Sequence, residues 1–243
     1  MSTNPLPPPP PLDLQETALF LDFDGTLVEI AAKPDAIRVT DGLATRLENL
    51  SAAVGGRLAL ISGRFLSDIE RHLGPVQVAR AGSHGADLRD AKGEPVGSAP
   101  EPMPASLLET IKAFAAHEEG VLVEDKPHGT GLHYRARPEM KAQVEAFADT
   151  LAAQHDLGIK RGKMVVELMA RRANKAEAVR TFMTREPFTG HTPVFVGDDV
   201  TDEDGFRAAK ALGGFGILVG APRETEAAYR LPTVDEVHGW LTP

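Results

Sequence analysis

Apolar and polar positions divide most of the chain into short apolar runs followed by amphipathic stretches. The first run, Ala18 to Phe23, ends in two carboxylates one residue apart, Asp22 and Asp24. Side chains two apart on an extended chain share a side, so a strand here carries both carboxylates to its C-terminal tip. Gly25 and Thr26 then turn the chain, because Gly accepts a positive φ. A helix is predicted from Gly42 to Ala53, with Leu43, Leu47 and Leu50 on one stripe. A second strand, Arg57 to Ile61, stops at Ser62-Gly63-Arg64; a helix from Phe65 to Leu73 ends at Gly74, and Val76 to Ala81 reads as a third strand. Strands alternating with helices across short turns predict a parallel sheet covered on both faces.

The rhythm changes near Asp87. Pro95, Pro100, Pro102 and Pro104 precede a helix (Ala105 to His117), strands at Val121 to Lys126 and Gly131 to Arg135, a helix (Pro138 to Ala153) and a strand at Met164 to Met169. Two strands joined through Gly129-Thr130-Gly131 predict an antiparallel pair, so residues 87–170 read as an inserted α+β cap. The parallel rhythm resumes with a helix from Asn174 to Thr184, a strand at Pro193 to Gly197, an acidic loop from Asp198 to Asp204, a helix to Ala211 and a strand at Phe215 to Val219. Thr233 can cap a last short helix through Trp240. The core is therefore expected over 15–86 and 171–243. Residues 1–14, with Pro5 and Pro7 to Pro11, are expected to be an extended or disordered tail.

Composition narrows the partners. Asp and Glu number 35 against 26 Lys and Arg, a net charge of −9, which carries no electrostatic footprint for nucleic acid or anionic membrane. An anionic substrate must be met by local cations. No cysteine is present, which excludes disulfides and thiol catalysis and fits a reducing cytoplasm. The N-terminus lacks the pattern of a signal peptide, and no apolar run approaches a membrane span.

In a parallel sheet, the strand ends and helix starts bring together Asp22 and Asp24, Ser62, Lys175, and Asp198 with Asp199 and Asp202. Singly, Ser62 could cap a helix, Lys175 could be solvated and the acidic loop could be a turn. Jointly, an acidic cluster flanked by a hydroxyl and an ammonium is what phosphoryl transfer requires. Two like charges this close repel unless a cation intervenes or one stays protonated, which asks for a divalent metal, with Mg²⁺ the usual oxygen-loving choice. One Asp can attack phosphorus and its neighbour can move the protons. Ser62, the backbone N–H groups beside it at Gly63, and Lys175 can hold the phosphate oxygens. A calcium loop of the EF-hand kind does not fit, since Val200 stands where a third ligand is needed.

The motifs Asp22-Phe23-Asp24-Gly25-Thr26, Ile61-Ser62-Gly63-Arg64, Asn174-Lys175 and Gly197-Asp198-Asp199-Val200-Thr201-Asp202-Glu203-Asp204 resemble the four motifs of the haloacid dehalogenase (HAD) superfamily of phosphatases. Together with Ala81 to Ala86, Glu124-Asp125-Lys126, Leu132-His133-Tyr134-Arg135 and Gly162 to Glu167, they resemble trehalose-6-phosphate phosphatases in particular. The resemblance implies a Rossmann-like HAD core with an α+β cap. It implies Asp22 as nucleophile, Asp24 as acid/base, and Mg²⁺ held by Asp22, the Asp24 backbone carbonyl and Asp198. It also implies phosphate contacts from Ser62, Gly63 and Lys175, support from Asp199 and Asp202, and sugar contacts from Lys126, Glu167, His84, Arg64 and Arg135. The expected reaction is hydrolysis of trehalose 6-phosphate, with a functional link to a trehalose-6-phosphate synthase. Sucrose 6-phosphate or mannosyl-3-phosphoglycerate are the alternative substrates, and a sugar-phosphate sensor or a phosphomutase the alternative roles. Met169 stands where the family commonly carries Arg or Lys, with Arg171 or Arg172 placed to compensate, and Ala176 stands where Gly is usual.

Overall fold

The computed structural model describes residues 6–31, 37–97, 103–126, 129–155, 157–162, 164–170 and 174–242. The chain forms two compact units, Met1–Ser98 with Asn174–Pro243, and Ala99–Ala173.

In chain order the larger unit begins with β1 (Thr17–Leu21), α1 (Leu43–Ala53), β2 (Leu58–Ile61), α2 (Leu66–Leu73), β3 (Ala79–Gly82) and β4 (Asp87–Arg89). The smaller unit contains α3 (Ala105–His117), β5 (Leu122–Lys126), β6 (Gly129–His133), α4 (Lys141–His155), β7 (Leu157–Gly162) and β8 (Val165–Ala170). The larger unit then resumes with α5 (Lys175–Met183), β9 (Thr192–Gly197), α6 (Glu203–Ala211), β10 (Phe215–Val219), β11 (Tyr229–Leu231) and α7 (Val234–Trp240).

Its seven-stranded sheet has the order β11-β10-β9-β1-β2-β3-β4, parallel except for the β3–β4 pair. β1 lies at its centre, with all five residues buried. From β1 the chain steps one way to β2 and β3 and later the other way to β9 and β10, so the order reverses beside β1. Open α/β sheets hold ligands at such a reversal, beyond the carboxyl ends of the strands.

Strand alternation explains the two core layers. Leu19 and Leu21 face α1, α2 and α7 through Leu43, Leu47, Ile69 and Val237. Ala18 and Phe20 face the opposite layer, with Val179, Phe182, Phe206 and Ala209 of α5 and α6. Phe20 stacks on Phe188 at 5.5 Å between ring centres. In α6, Gly205 lets the helix close on Phe195: a Cβ there would sit 2.5 Å from the ring.

The smaller unit is an antiparallel sheet of order β5-β6-β8-β7. Leu132, Val166 and Leu168 pack with Ile111, Val144 and Leu151 of α3 and α4, and Phe114 stacks on Phe147 at 3.9 Å. Gly129 to Gly131 lie within β6 rather than in the turn, with Gly129 opposite Lys126.

Two expectations need correction, and one strand was unforeseen. The cap boundary set at residue 87 falls on β4, which pairs with β3 as the edge of the larger sheet. Over its described part, residues 6–14, the N-terminal tail is not a free chain. Pro7 O accepts from the Arg230 N–H at 3.0 Å and Pro10 O from Trp240 Nε1 at 2.7 Å, while Leu6, Leu12 and Leu14 pack on the core. Proline lacks a donor but keeps its carbonyl, and the edge strand β11 has donors to satisfy. β7 was not expected, because Leu157 and Ile159, with Gly158 between them, make too short an alternation to stand out.

Candidate active site

The carboxyl ends of four neighbouring strands, β9, β1, β2 and β3, deliver Asp198, Asp22, Ser62 and the Ser83-His84-Gly85 turn to one edge of the sheet. Lys175 arrives as the first residue of α5, whose start is set by Asn174: its side chain accepts from the Glu177 N–H at 2.8 Å.

Lys175 is the hub. Its Nζ donates to Asp22 Oδ1 at 2.7 Å and to Asp202 Oδ1 at 2.5 Å, and the three side chains are 3%, 6% and 0% exposed. Asp202 Oδ2 also accepts from the Asp199 N–H at 2.9 Å, and Gly197 leaves the space that Asp202 fills. Oxygens of Asp22, Asp198 and Asp202 lie within 4.8 Å of one another. If all were ionised, three carboxylates against one ammonium would leave two negative charges in a largely buried place.

That excess appears in the proton affinities. Burial lifts Asp22 well above the ordinary carboxylate range, Lys175 opposes the shift, and Asp202 and Asp198 add to it. Burial, followed by repulsion from Asp202 and Asp199, pushes Asp198 up to about 7. Burial disfavours the Lys175 ammonium, yet attraction to Asp22 and Asp202 outweighs it and raises Lys175 above the usual lysine value. Lys175 alone does not balance the cluster's acids.

Asp198 Oδ1 is buried with no hydrogen-bond partner, a donor atom left for a ligand. Asp202 spends both oxygens on protein donors, so Asp22 and Asp198 have the most capacity left for a divalent cation. The oxygen set, the charge deficit and the orphaned Asp198 atom fit such an ion. Thr26 Oγ1 and Ser83 Oγ are likewise buried and unpartnered at this strand edge, and buried polar atoms without partners concentrate where ligands bind.

Ser62 is 1% exposed. Its Oγ accepts from the Arg64 N–H at 3.1 Å, which leaves its own proton free to donate. Gly63 is required for close approach, since a Cβ there would lie 2.5 Å from the His84 ring. Ser83 and His84 adopt φ of 50° and 58°, the left-handed region that non-glycine residues rarely enter. Such strain persists where the surroundings over-determine it, often beside a site.

Asp24 is not among the three converging carboxylates. Arg64 clamps it in a two-point pair, Nε to Oδ2 at 2.6 Å and Nη2 to Oδ1 at 2.7 Å. Arg64, expected to contact sugar, is in this structure the partner of Asp24. Asp199 lies exposed on the rim, where its side chain caps the next turn through the Val200 N–H.

In the smaller unit, Glu124, Gly131 and Glu167 form one cross-strand row, with His133 Nε2 2.7 Å from Glu124 Oε2. This face is opposite to the one that Leu132 and Val166 bury against the helices. Arg135 is exposed on the turn after β6. The side chain of Lys126, and Lys163, Arg171 and Arg172 altogether, lie outside the described residues.

The trehalose-phosphatase family model matches residues 20–235, from β1 into α7. The chain belongs to the trehalose-phosphatase family. A probable trehalose-phosphate phosphatase of Sinorhizobium fredii is 39% identical over 230 residues, covering 93% of this chain and 87% of the relative. The trehalose-6-phosphate phosphatase of Escherichia coli is 36% identical over 241 residues, covering 98% and 90%. The solved C-terminal domain of the C. albicans trehalose-6-phosphate phosphatase superposes with a TM-score of 0.72 over 99% of this chain and 98% of that one; at 22% identity this likeness is one of fold.

In this trehalose-phosphatase family member two side chains escaped the sequence reading. Glu203 is buried at the end of the acidic loop, and Arg223 forms an ion pair with it and donates to the Asp199 carbonyl at 2.8 Å. Glu203 stood in the acidic run and could have been suspected. Arg223 follows a strand in an irregular segment, and no local pattern marks it.

Proposed function

We propose that this protein is a divalent-metal-dependent phosphatase that hydrolyses trehalose 6-phosphate to trehalose and phosphate, with Mg²⁺ as the metal. The observation that carries the reading is the buried Asp22–Lys175–Asp202 triad with Asp198 beside it, at the reversal point of the sheet in a trehalose-phosphatase chain. Asp22 and Asp198 would hold the cation, whose charge would neutralise the phosphate and permit an anionic nucleophile to approach.

The chain's own groups divide the reaction. A carboxylate oxygen of Asp22 attacks phosphorus, the bond from phosphorus to the sugar oxygen breaks, and Asp24 gives its proton to the leaving alkoxide. Water then attacks the aspartyl-phosphate, its proton passes to Asp24, and phosphate leaves. Lys175 and the free Ser62 proton, with the N–H at Gly63, hold the non-bridging oxygens. Asp24 must leave the Arg64 clamp and take up a proton from solvent before it can serve the leaving oxygen. In the smaller unit, the Glu124–Gly131–Glu167 row offers carboxylates around a glycine floor, with Lys126 at the end of β5. Charged acceptors and donors of this kind suit a sugar that is all hydroxyls. The sources of substrate and setting follow: a trehalose-6-phosphate synthase as supplier and a reducing cytoplasm.

The test is phosphate release with Mg²⁺ from trehalose 6-phosphate, glucose 6-phosphate, sucrose 6-phosphate and an aryl phosphate. Preference for trehalose 6-phosphate is expected, with turnover abolished by Asp22→Asn and fold retained. Glu167→Ala or Lys126→Ala should harm the disaccharide far more than the aryl phosphate. Preference for another sugar phosphate would keep the core chemistry and reassign the sugar face; no release from any would overturn the reading.

A further inference from the structure

The acidic loop is gripped from two sides. From within, Lys175 holds Asp202, which in turn holds the Asp199 N–H. From without, Arg223 spreads its guanidinium over the backbone: Nη2 donates to the Asp199 carbonyl at 2.8 Å and reaches the Asp198 carbonyl at 3.5 Å, while Nη1 donates to the Glu224 carbonyl at 3.1 Å. Nη1 also pairs with Glu203 Oε1, and Glu203 Oε2 accepts from the Glu226 N–H at 2.8 Å. One buried carboxylate and one guanidinium therefore tie the segment after β10 to the loop that carries Asp198.

The outer clasp matters because of what Asp198 lacks. Its Oδ1 has no partner, and no side-chain donor reaches its carboxylate among the described residues. The direction of Asp198 is left to its backbone and to the space above Gly25, where any Cβ would collide with Asp198 Oδ2. The carbonyls that Arg223 holds belong to Asp198 itself and to the next residue, so they fix the peptide plane from which that carboxylate projects. A planar fork with several donors can span two carbonyls and a carboxylate at once; a single ammonium cannot hold the same set in fixed geometry.

We propose that Arg223, braced by Glu203, is a positioning residue for the divalent-metal site: it aims Asp198 at the ion without touching ion or substrate. The proposal rests on the reading of Asp22 and Asp198 as metal ligands. It assigns a role in metal affinity to an arginine outside the four motifs.

The experiment is direct binding of Mn²⁺ to the purified full-length protein, followed by loss of the free-ion electron paramagnetic resonance signal, for wild type, Asp198→Asn, Arg223→Ala, Arg223→Lys and Glu203→Gln. Thermal unfolding is recorded alongside, and trehalose 6-phosphate kinetics are measured across a metal titration. Groups that orient metal ligands are worth on the order of 10- to 100-fold in affinity. Arg223→Ala should weaken Mn²⁺ binding by that amount. Arg223→Lys and Glu203→Gln should fall between it and wild type. At saturating metal, the KM for sugar phosphate should stay within about twofold and kcat should largely recover, a split that general loosening of the fold would not produce.

Wild-type binding that Asp198→Asn abolishes, with Arg223→Ala binding as tightly as wild type, would overturn the positioning role alone. Failure of wild type to bind Mn²⁺ would overturn the metal reading and this proposal with it. If Arg223→Ala is unfolded at the assay temperature, Arg223→Lys and Glu203→Gln decide: either one binding Mn²⁺ like wild type overturns the proposal.

Discussion

Replacing Lys175 by Met removes the ammonium while keeping an unbranched stem of similar length in its buried channel. Two hydrogen bonds, at 2.7 and 2.5 Å, disappear, and Asp22 and Asp202 remain in sites 6% and 0% exposed by side chain. Taking one partner from a buried ion pair costs about 3–5 kcal/mol, because the residual charge has neither water nor a counter-ion. In a chain of this size each kcal/mol moves the melting midpoint by roughly 2–4 °C, so a fall of about 6–20 °C is expected near neutral pH without metal. Proton linkage gives the loss a pH signature. Asp22 already sits well above the ordinary carboxylate range, and losing Lys175 raises it further. A carboxyl raised in the fold penalises the folded state above its unfolded value, about 4, and the penalty vanishes below it. Both proteins carry that penalty, so the difference between them opens only above the wild-type Asp22 pKa: it should be smallest near about pH 4, where both carboxyls are protonated, and widen toward about pH 9, and millimolar Mg²⁺ should restore part of the loss near neutrality. Urea unfolding followed by circular dichroism, at both pH values and with or without Mg²⁺, measures this. A loss below about 1 kcal/mol, or one indifferent to pH, would refute the account of Lys175 as the charge hub.

Other consequences are equally open to measurement. Gly25→Ala must force a side chain into φ of 75° and against Asp198; about 1–2 kcal/mol of stability and at least tenfold in Mn²⁺ affinity should be lost, and unimpaired binding would contradict the packing described. Asp198 keeps its proton up to about pH 7 in the metal-free protein, so apparent metal affinity should fall below that pH by up to about tenfold per unit. By the same sign, the metal-free fold weakens as pH rises from about 4 through 7, and the Mg²⁺-induced gain in melting temperature should grow over that window; a flat gain would contradict the shift. Deleting residues 1–11 removes the Pro7 and Pro10 carbonyl bonds and the packing of Leu6, which should cost about 1–3 kcal/mol; an unchanged unfolding midpoint would mean the segment only rests on the surface.

Much of this was legible locally. The run Ala18 to Phe23 announces a buried strand ending in acid, and β1 is the central strand, with every residue buried. Thr233 caps α7 through the Glu236 N–H, and Gly74 ends α2 at φ of 81°. These features depend on neighbours within four residues, whose chemistry is set by bonding along the chain. The edge strands β4 and β11 were missed because three-residue strands carry no period of their own and form only when a partner strand offers its hydrogen bonds.

What the sequence by itself determined was the alphabet of the site: two acids after one strand, a hydroxyl after another, a lysine at a helix start and an acidic loop. Their partnerships were decided by tertiary structure. Lys175 and Asp22 are 153 residues apart, and which of the loop acids Lys175 would hold depended on the inward turn of Asp202 above Gly197. Arg64 met Asp24, Arg223 met the carbonyls of Asp198 and Asp199, and the proline segment met the edge of β11 for the same reason. Hydrogen-bond partners across such distances are chosen when buried polar groups must be satisfied inside a packed core, a demand that arises only once the sheet has brought its strand ends together.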